Sequence, residues 1–210
     1  TTVPVTVDDV IYHCRNVSRG LSRAFLVADM PFMSYSDPNQ ALENAVRLMQ
    51  EGGAMMIKLE GGEDQISIVE HLARHDIAVC AHLGLKPQSV HKIGGFRVQG
   101  RDENESRKML KNAISLQNAG ADIVLLECVP NELGNSIKEE LDIPVIGIGA
   151  GPNVDGQILV LYDILGITHG TTPRFVKNFM IGNDSPIMAI KAYVQAVKNR
   201  DYPASEHCFS

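Results

Sequence analysis

Five residues able to carry charge or move protons stand at the ends of short apolar runs that lie far apart in the chain: Asp29, Lys58, Glu60, His82 and Glu127. The runs are 24–29, 55–60, 78–82 and 122–127. Three carboxylates gathered in one place repel each other unless a cation or a proton lies between them. Oxygen donors without a Cys/His cluster suit Mg²⁺ better than Zn²⁺. Lys58 lies two residues before Glu60 on the same strand face. It can neutralise that acid, hold a substrate carboxylate or form a Schiff base with a keto substrate. His82 fits either a satisfied core histidine or an acid–base group. Taken singly, each acid fits a helix cap or a partner for Lys58 just as well. Three acids converging with a lysine point instead to a site. Gly61-Gly62 directly follows and is expected to let a ligand approach the backbone closely.

These groups meet only if the runs are strands of one sheet. Two further runs, 144–148 and 157–162, bring the expected strands to six. Helix-period segments alternate with them, the pattern of a parallel sheet covered by helices. Thr6 precedes Asp8 and Asp9 and heads an expected helix over 6–19, and Ser36 or Asp37 before Pro38 heads a second. Asp102 with Glu105 reads as a capping pair for a third, and Asn131 opens a fourth with Leu133, Ile137 and Leu141 on one face. Ser185-Pro186 opens the last, with Ile187, Ile190, Val194 and Val197 expected inward. Residues 83–103 form a long connection that reads as a lid or binding loop. In it, Lys92, Arg97 and Arg101 fit attraction of an anion or plain solvated charge. The eight Met residues are read as packing.

Alternating strands and helices suit either an open doubly wound sheet or a (β/α)8 barrel. No GxGxxG turn follows the first strand, and the glycine-rich 147–151 lies late in the chain. Charged groups instead end several different strands, as barrel enzymes arrange them. Phe25, Val27 and Asp29 share a face, as do Met56, Lys58 and Glu60, and Ile123, Leu125 and Glu127: apolar below, charged at the top. The expected fold is therefore a (β/α)8 TIM barrel formed as one domain over 1–210. Six strands fall short of eight, so two are expected ahead of Thr1.

The 210 residues carry 19 Lys plus Arg against 25 Asp plus Glu, a net charge of −6 with no basic stripe, which argues against nucleic acid as the main partner. No apolar run reaches about 18 residues, so no helical membrane span is expected. Cys14, Cys80, Cys128 and Cys208 lack close pairing, which favours free thiols and a reducing, cytoplasmic compartment.

Seven motifs in order resemble the ketopantoate hydroxymethyltransferase family: residues 26–33 (LVADMPFM), 57–62 (IKLEGG), 82–90 (HLGLKPQSV), 94–101 (GGFRVQGR), 125–130 (LLECVP), 144–151 (PVIGIGAG) and 175–179 (FVKNF). The resemblance implies a barrel of the phosphoenolpyruvate mutase and isocitrate lyase superfamily, Mg²⁺-dependent and assembled as a homodecamer. It implies transfer of a one-carbon unit from 5,10-methylenetetrahydrofolate to 3-methyl-2-oxobutanoate, on the route to pantothenate. It places Asp29 on a metal ligand that also contacts substrate, and Glu60 on a carboxylate reaching the metal directly or through water. Lys58 falls on a substrate-contacting lysine, His82 on a histidine of the same site, and Glu127 on the general base. The family's Gly-Asp-Ser motif, with another metal aspartate and a substrate serine, belongs to the two strands expected ahead of Thr1. Two other readings stand beside this one: a Schiff-base aldolase working through Lys58, and a barrel fragment that binds keto acid without turnover.

Overall fold

A computed structural model of the chain describes residues 2–210. Thr6 caps the first helix, α1 (Val7–Gly20). Its hydroxyl accepts from the Asp9 amide at 3.2 Å, and Asp9 accepts in return from the Thr6 amide at 2.9 Å. Then come β1 (Val27–Asp29), α2 (Pro38–Gln50), β2 (Met56–Glu60), α3 (Ile66–Ala73), β3 (Val79–Gly84), α4 (Val90–Ile93), α5 (Glu103–Asn118), β4 (Ile123–Glu127), α6 (Asn131–Glu140), β5 (Val145–Ile148), β6 (Gly156–Gln157), α7 (Leu161–Ile164) and α8 (Pro186–Asn199). Asp37 is the cap of α2, with Pro38 at its first position. Asp102 caps α5, accepting from the amides of Asn104 and Glu105 at 3.0 Å each. Glu105 does not close the expected pair. Its carboxylate accepts from the Gly100 amide at 3.2 Å and steadies the incoming loop instead.

All six strands run parallel, in the order β1-β2-β3-β4-β5-β6. Sequential order with helices between the strands from β1 to β5 is barrel topology, but β6 follows β5 by a loop and, among the described residues, β1 and β6 are open edges. The architecture is an α/β partial barrel of six strands, not a closed barrel of eight. Strand alternation divides the apolar residues between two faces. Ala28, Ile57, Leu59, Val79, Ala81, Val124, Leu126 and Val145 point toward the helices and join one continuous core with Leu48, Val69, Leu72, Leu116 and Ile137. Met56, Cys80, Leu125 and Ile148 point the other way and pack with Phe175. From β2 to β5 both faces are largely buried, as a parallel sheet requires, whereas on the edge at β1 the expected apolar stack of Phe25 and Val27 is exposed.

Two expectations fail for identifiable reasons. The strand expected over 157–162 pairs only at Gly156 and Gln157, because among the described residues β6 has β5 as its sole neighbour. Ile158 donates one more bond to the Gly147 carbonyl, and the chain then turns into α7. On α8, Ile187, Ile190 and Val194 face outward, while Ala189, Ala192, Tyr193, Ala196 and Val197 pack against Ile164, Phe179 and Tyr202. Both stripes have helical spacing. The inward one carries small residues that admit the edge-to-face cluster of Phe179, Tyr193 and Tyr202. Among the methionines, Met33, Met55 and Met188 are exposed and do not serve as core packing. No described helix is long and apolar enough to cross a membrane.

The end of β3 meets the end of β4 at Gly84, whose φ is +96°. A Cβ there would lie 2.1 Å from the Glu127 carbonyl oxygen, which accepts from the Leu85 amide at 2.8 Å. Gly84→Ala should therefore cost about 2 kcal/mol or more of stability, combining a strained φ with a displaced strand end. Urea denaturation would show this as a lowered midpoint, whereas an unchanged midpoint would mean that the Glu127 backbone yields freely.

Candidate active site

Strand register decides which groups meet. Asp29 pairs with Lys58, Glu60 with His82, and Gly84 with Glu127, so all the charged groups project from the same, concave face near the strand ends. The Lys58 ammonium lies 2.6 Å from Asp29 Oδ1. The lysine side chain is only 13 % exposed, while that of Asp29, on the edge strand, is 60 % exposed. Burial works against the Lys58 charge, but the adjacent Asp29 carboxylate outweighs it and holds the amine protonated beyond its ordinary range.

His82 is fully buried between two acids. Its Nε2 lies 3.4 Å from Glu127 Oε2 and its Nδ1 lies 3.9 Å from Glu60 Oε1. Neither nitrogen has a hydrogen-bond partner among the described residues. Burial, reinforced by the charge of Lys58, drives the imidazole well below its usual range and keeps it neutral. Burial has the opposite effect on the acids. It raises Glu60 against the pull of Lys58 and of the Gln88 amide, and it pushes Glu127 up to about 7, with Lys58 again pulling down. The sequence-derived residues Lys58, Glu60, His82 and Glu127 thus form one buried cluster, and Asp29 touches it through Lys58.

Sequence reasoning passed over two members of this cluster. Gln88 donates its amide hydrogen to Glu60 Oε2 at 3.1 Å and its side-chain nitrogen to the Met30 carbonyl at 2.7 Å, and its side-chain oxygen accepts from the Tyr35 hydroxyl at 2.7 Å. One uncharged residue in the connection after β3 thus links the turn after β1, through its side chain, to the Glu60 carboxylate, through its backbone amide. Pro87 ahead of it, opening a short 3₁₀ turn, was the available signal. The connection itself is less open than expected, since α4 lies within it. Lys92, Arg97 and Arg101 are exposed. Gly61 and Gly62 line a cavity with Gly84 and Lys86, and a Cβ at either would lie 2.3 Å from the side chain of Gln65 or Asn112.

Among the described residues, no three His, Cys, Asp or Glu side chains are gathered as a metal cluster. Asp29 and Glu60 nevertheless stand on neighbouring strands, and each keeps one oxygen outside any hydrogen bond, Asp29 Oδ2 and Glu60 Oε1. Two carboxylates, each with a free oxygen, are the kind of donor that Mg²⁺ takes. The thiols of Cys80 and Cys128 are pushed up to about 12, in each case chiefly by burial, and are poor nucleophiles.

A family model described as ketopantoate hydroxymethyltransferase matches residues 1–205. A 3-methyl-2-oxobutanoate hydroxymethyltransferase of Nitrosococcus oceani is 58 % identical over 206 residues, covering 98 % of this chain and 78 % of the relative. The enzyme of that name from Alkalilimnicola ehrlichii is 59 % identical over 209 residues, covering 100 % of this chain and 76 % of its own length. Among solved structures, oxaloacetate acetylhydrolase superposes with a TM-score of 0.56 at 13 % identity, over 97 % of this chain and 80 % of that one. So does 2,3-dimethylmalate lyase, a member of the PEP mutase/isocitrate lyase superfamily, at 0.54 and 13 %, over 100 % of this chain and 70 % of that one. At such identities the structural matches speak for the fold alone.

A carboxyl held near 7 in the folded state but near 4.5 when exposed binds more protons folded than unfolded between those values. Stability contributed by this group is therefore full below about 4.5 and falls as pH rises through about 7. Glu127→Gln should abolish that loss and stabilise the protein by about 1–3 kcal/mol at pH 8 but not at pH 4.5. Thermal melts of both proteins across this range test it. Parallel curves would show that Glu127 titrates normally.

Proposed function

The chain belongs to the ketopantoate hydroxymethyltransferase family, and we propose that it transfers a hydroxymethyl group to 3-methyl-2-oxobutanoate, giving 2-dehydropantoate on the route to pantothenate, with 5,10-methylenetetrahydrofolate as donor. The observation that carries this reading is the Glu127 carboxyl, pushed up to about 7 by burial and set beside a neutral imidazole. A carbon acid needs a base stronger than an ordinary carboxylate. One that half-ionises near neutrality is both available and basic enough to take the proton from C3 of the keto acid.

The neighbouring groups have complementary tasks. Lys58, kept charged by Asp29, attracts the substrate carboxylate and orients C3 toward Glu127. Neutral His82 can present an Nε2–H to Glu127 and hold that carboxylate in one orientation without supplying a second positive charge. Gln88 steadies Glu60, and with Asp29 that acid would hold Mg²⁺. When bound, the ion would act as a Lewis acid for the negative charge that develops on the keto oxygen. Water adds to the donor's methylene carbon, both carbon–nitrogen bonds break with the two water protons going to the freed nitrogens, and tetrahydrofolate departs from a formaldehyde-level unit. The electrons of the broken C3–H bond then form the bond from C3 to that carbon, its carbonyl opens to an alkoxide, and the proton held by Glu127 passes to this oxygen.

The two rival readings draw less support. A Schiff-base aldolase requires an uncharged amine, and Asp29 holds Lys58 in the opposite state. A barrel that only binds keto acid has no need of a carboxyl poised near 7.

Glu127→Gln should slow deuterium exchange at C3 of 3-methyl-2-oxobutanoate by about 10²–10⁴-fold, with the Kd for the keto acid changed little. Exchange at the wild-type rate would refute the base assignment. In the wild type, kcat/KM should rise with pH through about 7 and then level off, because the ionised carboxylate is the active form. Borohydride added with keto acid should leave Lys58 unmodified by mass spectrometry, whereas a reduced adduct on Lys58 would favour the aldolase.

A further inference from the structure

Glu127 also forms part of the wall of a cavity of about 780 Å³ that the keto acid does not account for. This space opens away from Lys58 and Glu60, toward the segment after β6 and the C-terminal residues. It is several times larger than a five-carbon acid needs and lies within the range of sites for drug-sized ligands. Its walls are mostly apolar and unusually aromatic for a chain with 5 % aromatic residues: Phe96, Tyr162, Phe175 and Phe209 all line it. Phe175 and Phe209 meet edge to face at 76°. Phe175 fits there because Gly149, at φ +65°, has no Cβ to meet its ring at 2.6 Å. The Phe209 carbonyl accepts from the Asn131 amide at 2.9 Å and so anchors the far wall to the start of α6. Phe96 and Tyr162 are exposed, with nothing stacked on their faces.

Among these rings lies Asp163, only 6 % exposed. Its Oδ1 accepts from the Thr168 hydroxyl, and its Oδ2 has no partner among the described residues. A buried carboxylate facing an apolar cavity is costly unless something donates to it. Arg174 lies on the same wall, with its Nε on the Glu206 carbonyl and its terminal nitrogens uncommitted. Aromatic faces accept a flat ring, a carboxylate accepts from adjacent N–H groups at one edge of that ring, and a guanidinium attracts an anionic tail.

We propose that this cavity binds the nitrogen heterocycle of the one-carbon donor, with the Asp163 carboxylate accepting from the ring's N–H edge, Tyr162 and Phe96 stacking on its face and Arg174 drawing its acidic tail. The proposal rests on the donor reading above. It explains why the cavity meets Glu127, since the one-carbon unit must be delivered where the C3 proton has just been removed.

Calorimetric titration with tetrahydrofolate, together with steady-state kinetics, tests the assignment. Asp163→Asn should weaken binding about 10–100-fold, because one acceptor becomes a donor facing a donor. Tyr162→Ala, a change at an exposed position that leaves folding intact, should weaken it about fivefold or more. In both variants the KM for the donor should rise while that for the keto acid shifts less than about twofold. Wild-type affinity in Tyr162→Ala and Asp163→Asn alike would overturn the cavity assignment and leave the donor reading standing. If the wild type exchanges C3 deuterium yet gives no heat with tetrahydrofolate, the donor reading fails and takes this assignment with it.

Discussion

Lys58 is paired with Asp29 and also acts on Glu60, His82 and Glu127, with Lys86 adding a smaller effect on Glu60 and His82, and the properties of the site follow from how this positive charge is set against burial. The Lys58 ammonium lies 2.6 Å from Asp29, and its pull on Glu60 and Glu127 does not overcome their burial. Burial therefore raises both deeper acids, Glu127 to about 7, and drives His82 down, with the same positive charge adding to the effect on the imidazole. Had Lys58 faced Glu127 directly, that carboxyl would have been held ionised and weakly basic. The strand register prevents this: Lys58 stands opposite Asp29, and Glu127 stands two strands away opposite a glycine.

Glu60 is held differently. Its anchor is the backbone amide of Gln88, and the side chain of that residue reaches Met30 and Tyr35. A network of uncharged donors and acceptors fixes a carboxylate in place without drawing further on Lys58. In a buried setting such a network gains strength from the low dielectric and tolerates little misalignment.

The strands and the site were legible for one reason. Apolar runs ending in Asp29, Glu60, His82 and Glu127 state both strand type and strand polarity, and parallel pairing then brings like ends together. Resemblance to a family added the roles that spacing alone left open. What stayed hidden depends on partners far away in the chain. The pairing of residues 157–162 is cut short by the lack of a second neighbour among the described residues, which no local pattern records. The two stripes of α8 are equally periodic, and only the aromatic cluster beneath them selects the alanines. Gln88 is marked only by the Pro87 before it, because its hydrogen bonds run to Met30, Tyr35 and Glu60, all distant in the chain.

The sheet's two faces have separate duties, and that separation bears on how such a scaffold diversifies. Residues such as Ile57, Leu59, Ala81 and Leu126 glue the strands to the helices, while their immediate neighbours Lys58, Glu60, His82 and Glu127 face the concave side of the sheet. A change in chemistry can thus be written on alternate positions without rewriting the scaffold beneath. The same architecture carries a lyase and an acetylhydrolase at 13 % identity, so one scaffold holds very different sequences.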